Sequence, residues 1–201
     1  MTDLADGPAR DTYHAGMRAL QDRFDSRRLA DRLDEKLGRT EFTAEDRAFI
    51  ESRTLFFLAT ADAAGRPDCS FKGGDAGFVQ VIGPGELAFP SYDGNGMFRS
   101  LGNVAVNPAV ALLFIDFERP GRLRVNGRAT LDEDAALRER FHGAQLVVRV
   151  RAERIFPNCP RYIPRLAVVE SSPYVPRPGS TPPVPKWKTF DMFKDVLPRE
   201  G

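Results

Sequence analysis

Pro90-Ser91-Tyr92-Asp93-Gly94-Asn95-Gly96-Met97-Phe98-Arg99-Ser100 is the stretch on which the reading of this chain turns. Strand-like segments lead into it, a short helical pattern opens at its end, and further strand-like segments follow, so that residues 55–131 organise the rest. Small residues let a backbone approach a ligand, the first N–H groups of a helix point outward, and a guanidinium forks onto phosphate oxygens. A glycine-rich turn handing over to Arg99 is therefore a candidate anion site, while Gly94-Asn95-Gly96 is equally the chemistry of an ordinary loop.

Upstream, Leu55-Phe56-Phe57-Leu58-Ala59-Thr60 is a short apolar run ended by the turn Ala63-Ala64-Gly65-Arg66-Pro67. Cys69-Ser70-Phe71-Lys72 resumes an extended pattern and runs into Gly73-Gly74. Residues 78–82 and 86–89 flank Gly83-Pro84-Gly85, a hairpin signature. Downstream, residues 98–106 read as a short helix closed by Asn107-Pro108, and residues 110–115 and 123–129 as two more strands. Residues 132–141 are helical in pattern and residues 146–152 return to strand. Short strands joined by tight turns, with helices inserted rather than alternating, predict a mainly β, antiparallel barrel with accessory helices.

The flanks read differently. In the first forty residues, Met17, Leu20, Phe24, Leu29, Leu33 and Leu37 recur at helical spacing, with Gly38 as a stop. Thr43-Ala44-Glu45-Asp46 carries a capping pattern for a further helix whose Phe49 and Ile50 would face the barrel. Residues 173–185 are dense in proline and predict an extended arm. Trp187, Phe190, Met192, Phe193, Val196 and Leu197 then predict a short amphipathic helix, packed on its own barrel or on a second subunit. The organisation expected is a helical extension over 1–43, a barrel domain over 44–170, and an arm with a terminal helix over 171–201.

Net charge is +1 over 201 residues, with both signs abundant, which argues against nucleic acid or a membrane surface as the main partner. The two cysteines, Cys69 and Cys159, form neither a CxxC nor a metal spacing, and a reducing compartment is the easier reading. No apolar run reaches the length of a membrane span and the start lacks an apolar signal core, so the expectation is a cytosolic protein. Paired carboxylates, metal spacings and a Ser/His/Asp set do not stand out, which removes hydrolase readings and leaves no catalytic side chain assigned. Cys159 beside Arg161 has the makings of an activated thiol, with a buried, inert thiol as the plainer reading. Cys69 is expected to pack in its strand.

Three runs carry a family resemblance: FFLATADAAGRPDCSFKGG over 56–74, LAFPSYDGNGMFRSLGNVAVNPAVALLF over 87–114, and LRVNGRATL over 123–131. Together they resemble the pyridoxamine 5'-phosphate oxidase-like flavoproteins, the FMN-binding split barrels, across about residues 45–155. FPNCPRYI at 156–163 and the proline-rich tail are similar to an actinobacterial-type, oxidase-related subgroup. The resemblance implies a six-stranded split β-barrel, a homodimer, and one FMN in each of two clefts at the subunit interface. By position it implies that Ser70, Phe71, Lys72, Gly73 and Gly74 meet the isoalloxazine and ribityl chain, and that Pro90 and Ser91 touch the flavin from the next strand end. Arg99 falls on the family's phosphate-binding arginine, and Ser100 stands where the family has a lysine. Arg122 stands where the family has a glutamine supplied by the neighbouring subunit, and Arg124 shares its strand face.

The activity so implied is hydride transfer through flavin N5, for which the protein supplies binding and orientation and no side chain need act as acid or base. The Tyr/Arg/Ser set that true pyridoxamine phosphate oxidases use for substrate is not found in register after Gly127; Arg138, Glu139 and Arg140 read as a solvated face. Trp187 is a candidate either for stacking near the flavin or for anchoring the tail. Rival readings are a reductase using a deazaflavin coenzyme, whose longer anionic tail wants more Lys and Arg, and a flavin carrier or sensor without turnover. A haem-binding relative needs an axial ligand, and the two histidines, His14 and His142, both fall outside the barrel strands.

Overall fold

The computed structural model describes residues 12–198. The chain divides into two compact units, 1–38 and 39–201. Within the first, α1 (Ala15–Arg23) and α2 (Arg27–Leu37) replace a continuous helix. Asp25 adopts φ 48°, the left-handed region that an L-residue helix cannot continue through. Tyr13 Oη donates to Ala30 O at 2.9 Å and Arg18 Nη1 pairs with Asp31 at 2.6 Å, fastening the two helices of this unit. The helical reading of residues 1–11 lies outside the described residues.

The second unit opens with α3 (Ala44–Glu51), capped as its sequence predicts: Asp46 N donates to Thr43 Oγ1 at 3.1 Å and Thr43 N to Asp46 Oδ2 at 3.0 Å. Ile50 is fully buried, and Phe49 packs against the core with the Arg53 guanidinium over its ring. There follow β1 (Leu55–Ala61), β2 (Pro67–Gly73), β3 (Gln80–Gly83), β4 (Glu86–Ser91), α4 (Arg99–Val106), β5 (Ala109–Asp116), β6 (Gly121–Asp132), α5 (Ala135–Glu139) and β7 (Leu146–Asn158). The strands pair antiparallel in the order β2-β1-β5-β6-β7-β4-β3. Seven strands form where the resemblance implies six: every apolar segment flanked by turn residues finds a partner, including β3, whose four residues pair with β4 around Gly83-Pro84-Gly85.

The sheet is not closed, yet it curls. Phe56 on β1 is fully buried, and its ring centroid lies 5.0 Å from Phe89 on β4, 5.2 Å from Phe114 on β5 and 5.9 Å from Phe78. Since β1 and β4 stand second from opposite edges of the sheet, this contact across the interior gives the barrel its shape. Leu58, Leu112, Val125, Val148 and Ile155 fill the same core.

One irregularity resets a strand. Between Asn126 and Gly127 the register of β6 on β7 shifts, with Asn126 opposite Arg154 and Gly127 opposite Ala152, so Glu153 is an extra residue. A Cβ on Gly127 would lie 2.2 Å from Arg151 O, which is why the bulge demands glycine. Along β7 the buried residues are Val148, Val150 and Ala152 before the bulge and Ile155 after it, so the inward parity switches.

The expected terminal helix is instead two 3₁₀ turns, Lys186–Thr189 and Asp191–Phe193. Phe190 between them is extended (φ −72°, ψ 133°), which interrupts the helical hydrogen-bond ladder. Trp187 meets Phe193 edge-on, and Lys188 Nζ reaches Asp93 in the organising turn at 2.6 Å. Farther up the arm, Arg177 clasps Asp75 through two bonds of 2.6 and 2.7 Å.

Truncating the hub residue, Phe56→Ala, is expected to cost about 3–5 kcal/mol in urea unfolding, because three rings lose their common neighbour. The arm clasp has its own pH signature. The Arg177 hydrogen bond holds the Asp75 carboxyl below its ordinary value, so the clasp stabilises the arm above the unfolded carboxyl pKa of about 4 and is lost as pH falls below it. Arg177→Ala should therefore speed proteolytic cutting of residues 171–185 at neutral pH, and the difference from wild type should shrink in acid.

Candidate functional site

Alternation along β2 sorts its side chains between two faces. Asp68, Ser70 and Lys72 stand opposite Thr60, Leu58 and Phe56 of β1, all three buried, and therefore lie on the inward face. Cys69 and Phe71 turn outward. Helix α4 lies over the inward side: Ser100 Oγ stands 2.9 Å from Ser70 Oγ and 3.3 Å from Asp68 Oδ2, Asn103 Nδ2 donates to Thr60 Oγ1 at 3.0 Å, and Asn107 Nδ2 to Asp62 O at 3.3 Å. Spacings of three and four residues place these groups along one helix face, while Leu101 and Val104 enter the core.

Phe98, at the N-cap of α4, has φ 47° and ψ 29°, a conformation unusual for an aromatic residue. It launches Arg99 toward β2, where Nε and Nη2 both donate to Asp68 Oδ1, at 3.2 and 3.0 Å. The Arg99 side chain remains 65% exposed and Asp68 only 16%. Both bonds end on one oxygen, which leaves guanidinium donors for another anion.

Lys72 is half-buried on the same face. Burial pushes its ammonium below the ordinary lysine value, and the charge of Asp68 partly opposes this. The folded state therefore favours neutral Lys72, and its contribution to stability improves as pH rises toward the ordinary lysine value. Gly73 and Gly74 leave room for rings of the same chain: a Cβ on Gly73 would lie 2.7 Å from Phe71 Cε1, and one on Gly74 would lie 2.5 Å from Phe78 Cγ. Pro90 and Ser91 end β4 beside Val147 and Leu146, with Ser91 O accepting from Gln145 N at 2.9 Å, apart from the Arg99 group. Tyr92 follows them, its phenol pushed upward by burial and by the nearby Asp75 charge.

Arg122 and Arg124 face outward, since Leu123 and Val125 between and beside them are core. Register aligns an outer row across five strands: Phe71, Phe57, Leu113, Arg124 and Phe156. Phe57 and Phe71 meet edge-on at 6.3 Å, and the Arg124 guanidinium sits 5.5 Å over the Phe156 ring. Phe71 is 62% exposed. One pair along, Arg122 stands opposite Asn158, and Arg122 Nε and Asn158 Oδ1 are both buried without a hydrogen-bond partner among the described residues. Orphaned buried polar atoms of this kind cost about 1–3 kcal/mol each.

Ser70, Lys72, Arg99 and Ser100 thus share one inward-facing region, with Gly73 and Gly74 at its strand end; Phe71, Arg122 and Arg124 belong to the outer face. Asp68, the carboxylate at the centre of the polar group, was missed by sequence reasoning. Its signal was available, two residues before Ser70 and so on the same strand face. Both cysteines are exposed, against the expectation of a buried Cys159 and a packed Cys69, because Cys69 takes the outward parity of an edge strand and Cys159 follows the end of β7. Among the described residues, no group of three or more His, Cys, Asp or Glu is placed to hold a metal ion. No described helix is long and apolar enough to cross a membrane.

A mainly β antiparallel sheet curled around phenylalanines, with helices inserted between strands, is the split-barrel class. Residues 42–173, well over half of the chain, match the family model described as pyridoxamine 5'-phosphate oxidase, and the chain belongs to that family. No curated protein matches the sequence. Among solved structures, a pyridoxamine 5'-phosphate oxidase homologue from Lactobacillus delbrueckii is 25% identical, with TM-score 0.46 over 59% of this chain and 95% of its own. A FAD-binding protein from Mesorhizobium loti is 16% identical, with TM-score 0.43 over 60% and 95%. The haem storage protein HutZ from Vibrio cholerae is 25% identical, with TM-score 0.39 over 56% and 90%.

Replacing Lys72 by Met should leave the melting temperature unchanged or raise it, because the substitution removes a desolvated charge and keeps the aliphatic stem. A marked fall would instead show that Lys72 and Asp68 stabilise the fold as a pair.

Proposed function

We propose that this protein is a cytosolic FMN-dependent oxidoreductase, working as a homodimer with the cofactor cleft between subunits. One observation carries the reading: a two-thirds exposed arginine at the start of α4 converges with two serines and leaves donors free on the face where the family holds a phosphate. The residues fit the group. Arg99, with the first N–H groups of α4, would hold the terminal phosphate, and Ser70 and Ser100 would add hydroxyl donors beside it. Lys72 would supply a cation toward the ribityl chain or ring, and the Gly73-Gly74 backbone, Pro90 and Ser91 would border the flavin. Bound flavin supplies the hydride acceptor or donor; the chain contributes affinity, orientation and exclusion of water.

The outer row supports the dimer. Phe71, Phe57 and Leu113 form an apolar band on a sheet face, and such a band is a natural surface for a second copy. Arg122 and Arg124 lie on that face and not on the face of Arg99 in their own chain, so their contribution to a cleft would come from the neighbouring subunit. The haem reading gains nothing from the histidines: His14 caps α1 in the other unit and His142 follows α5, neither on a strand.

Purified protein should be yellow and release FMN on denaturation. Release of a deazaflavin or of haem instead would overturn the assignment. Arg99→Ala is expected to weaken FMN binding by about 1.5–3 kcal/mol in a fluorescence titration; unchanged affinity would mean that the phosphate is held elsewhere. Phe71→Glu should shift the protein from dimer to monomer in sedimentation and lose flavin in parallel, whereas a monomer that keeps its flavin would contradict a shared cleft.

A further inference from the structure

The groups proposed to receive phosphate already serve an anion of the chain itself. Asp68 Oδ1 accepts from Arg99 Nε and Nη2, and Asp68 Oδ2 stands 3.3 Å from Ser100 Oγ, which also contacts Ser70 Oγ at 2.9 Å. The carboxylate is largely buried, so its charge is weakly screened, and it is felt as far along the strand as Lys72. Neither Thr60, opposite it on β1, nor Asn103, which donates to Thr60, brings a positive charge.

We infer that Asp68 is a resident competitor for the phosphate and sets how strongly the site prefers a phosphorylated flavin over the phosphate-free one. This rests on the reading of Arg99 as the phosphate residue. A phosphate arriving at Arg99 takes over donors that Asp68 holds, and places its charge next to an anion of the same sign. Binding is then an exchange of partners on one guanidinium rather than a simple gain of contacts. Riboflavin, whose tail ends in a hydroxyl, meets no such competition. Asp68 therefore narrows the advantage of FMN over riboflavin, a role opposite to that of Arg99 although the two side chains are in contact.

Two neutral variants test this in the full chain, Asp68→Asn and Asp68→Ser, with Glu153→Gln on the exposed part of β7 as a control for net charge. Flavin fluorescence titrations with FMN and with riboflavin, run beside melting curves, give the readout. The expected result is FMN binding about tenfold tighter in both Asp68 variants, riboflavin within about twofold of wild type, and Glu153→Gln unchanged for both. If wild type binds FMN and Arg99→Ala loses it, yet both Asp68 variants bind FMN equally or more weakly, Asp68 is a brace that positions Arg99; the competitor role is then wrong and the phosphate site stands. Equal tightening for FMN and riboflavin also overturns it, since the effect would not pass through the phosphate. If wild type and both variants bind neither flavin, the flavin reading fails and takes this inference with it.

Discussion

Phe56 is the contact on which the architecture depends. A sheet in the order β2-β1-β5-β6-β7-β4-β3 has no reason to bring its first and last strands together through hydrogen bonds alone. The edge-on approach of Phe56 to Phe89, with Phe114 and Phe78 alongside, makes burial of aromatic surface the force that curls it. Because Phe56 is opposite Lys72 on β2, the same contact fixes the parity of the edge strand. That parity determines that Asp68, Ser70 and Lys72 look inward, and everything polar at the candidate site follows from it.

Helix α4 converts this strand parity into a site. Its apolar residues Leu101 and Val104 lock it to the core, and its polar residues read down β2 and β1 in sequence. The left-handed turn at Phe98 fixes where the helix begins, so Arg99 emerges beside Asp68 rather than into solvent alone. Rigid strand, buried helix and one unusual backbone residue together hold a flexible arginine within reach of an anion.

Most of the architecture was legible because it rests on local rules. Alternation and turn chemistry located all seven strands, and Thr43 with Asp46 announced the start of α3. What could not be read depends on long-range pairing or on single backbone angles. The split of the N-terminal helix comes from φ at Asp25, and the broken terminal helix from an extended Phe190, neither of which has a strong residue signature. At the site, the resemblance pointed to Ser70, Arg99 and Ser100 through position, and the fold brings these three together. Asp68 went unread because a carboxylate next to an expected phosphate runs against the charge logic used to search. The separation of Arg122 and Arg124 onto the outer face needed the register of β6, which hydrophobic patterning of β6 alone implied but did not connect to β2.

The single additional residue at Glu153 has a consequence for how this chain can change over time. Beyond that point β7 presents Phe156 and Asn158 outward, under Arg124 and beside Arg122. Removing one residue there would rotate the remainder of the strand by half a pleat, sending Ile155 to the surface and Phe156 into a core shaped for a smaller group. Substitutions along this segment are local events, whereas a loss or gain of length rewrites an entire exposed face at once. Lineages carrying this strand should accordingly differ there in residue type while keeping its residue count fixed.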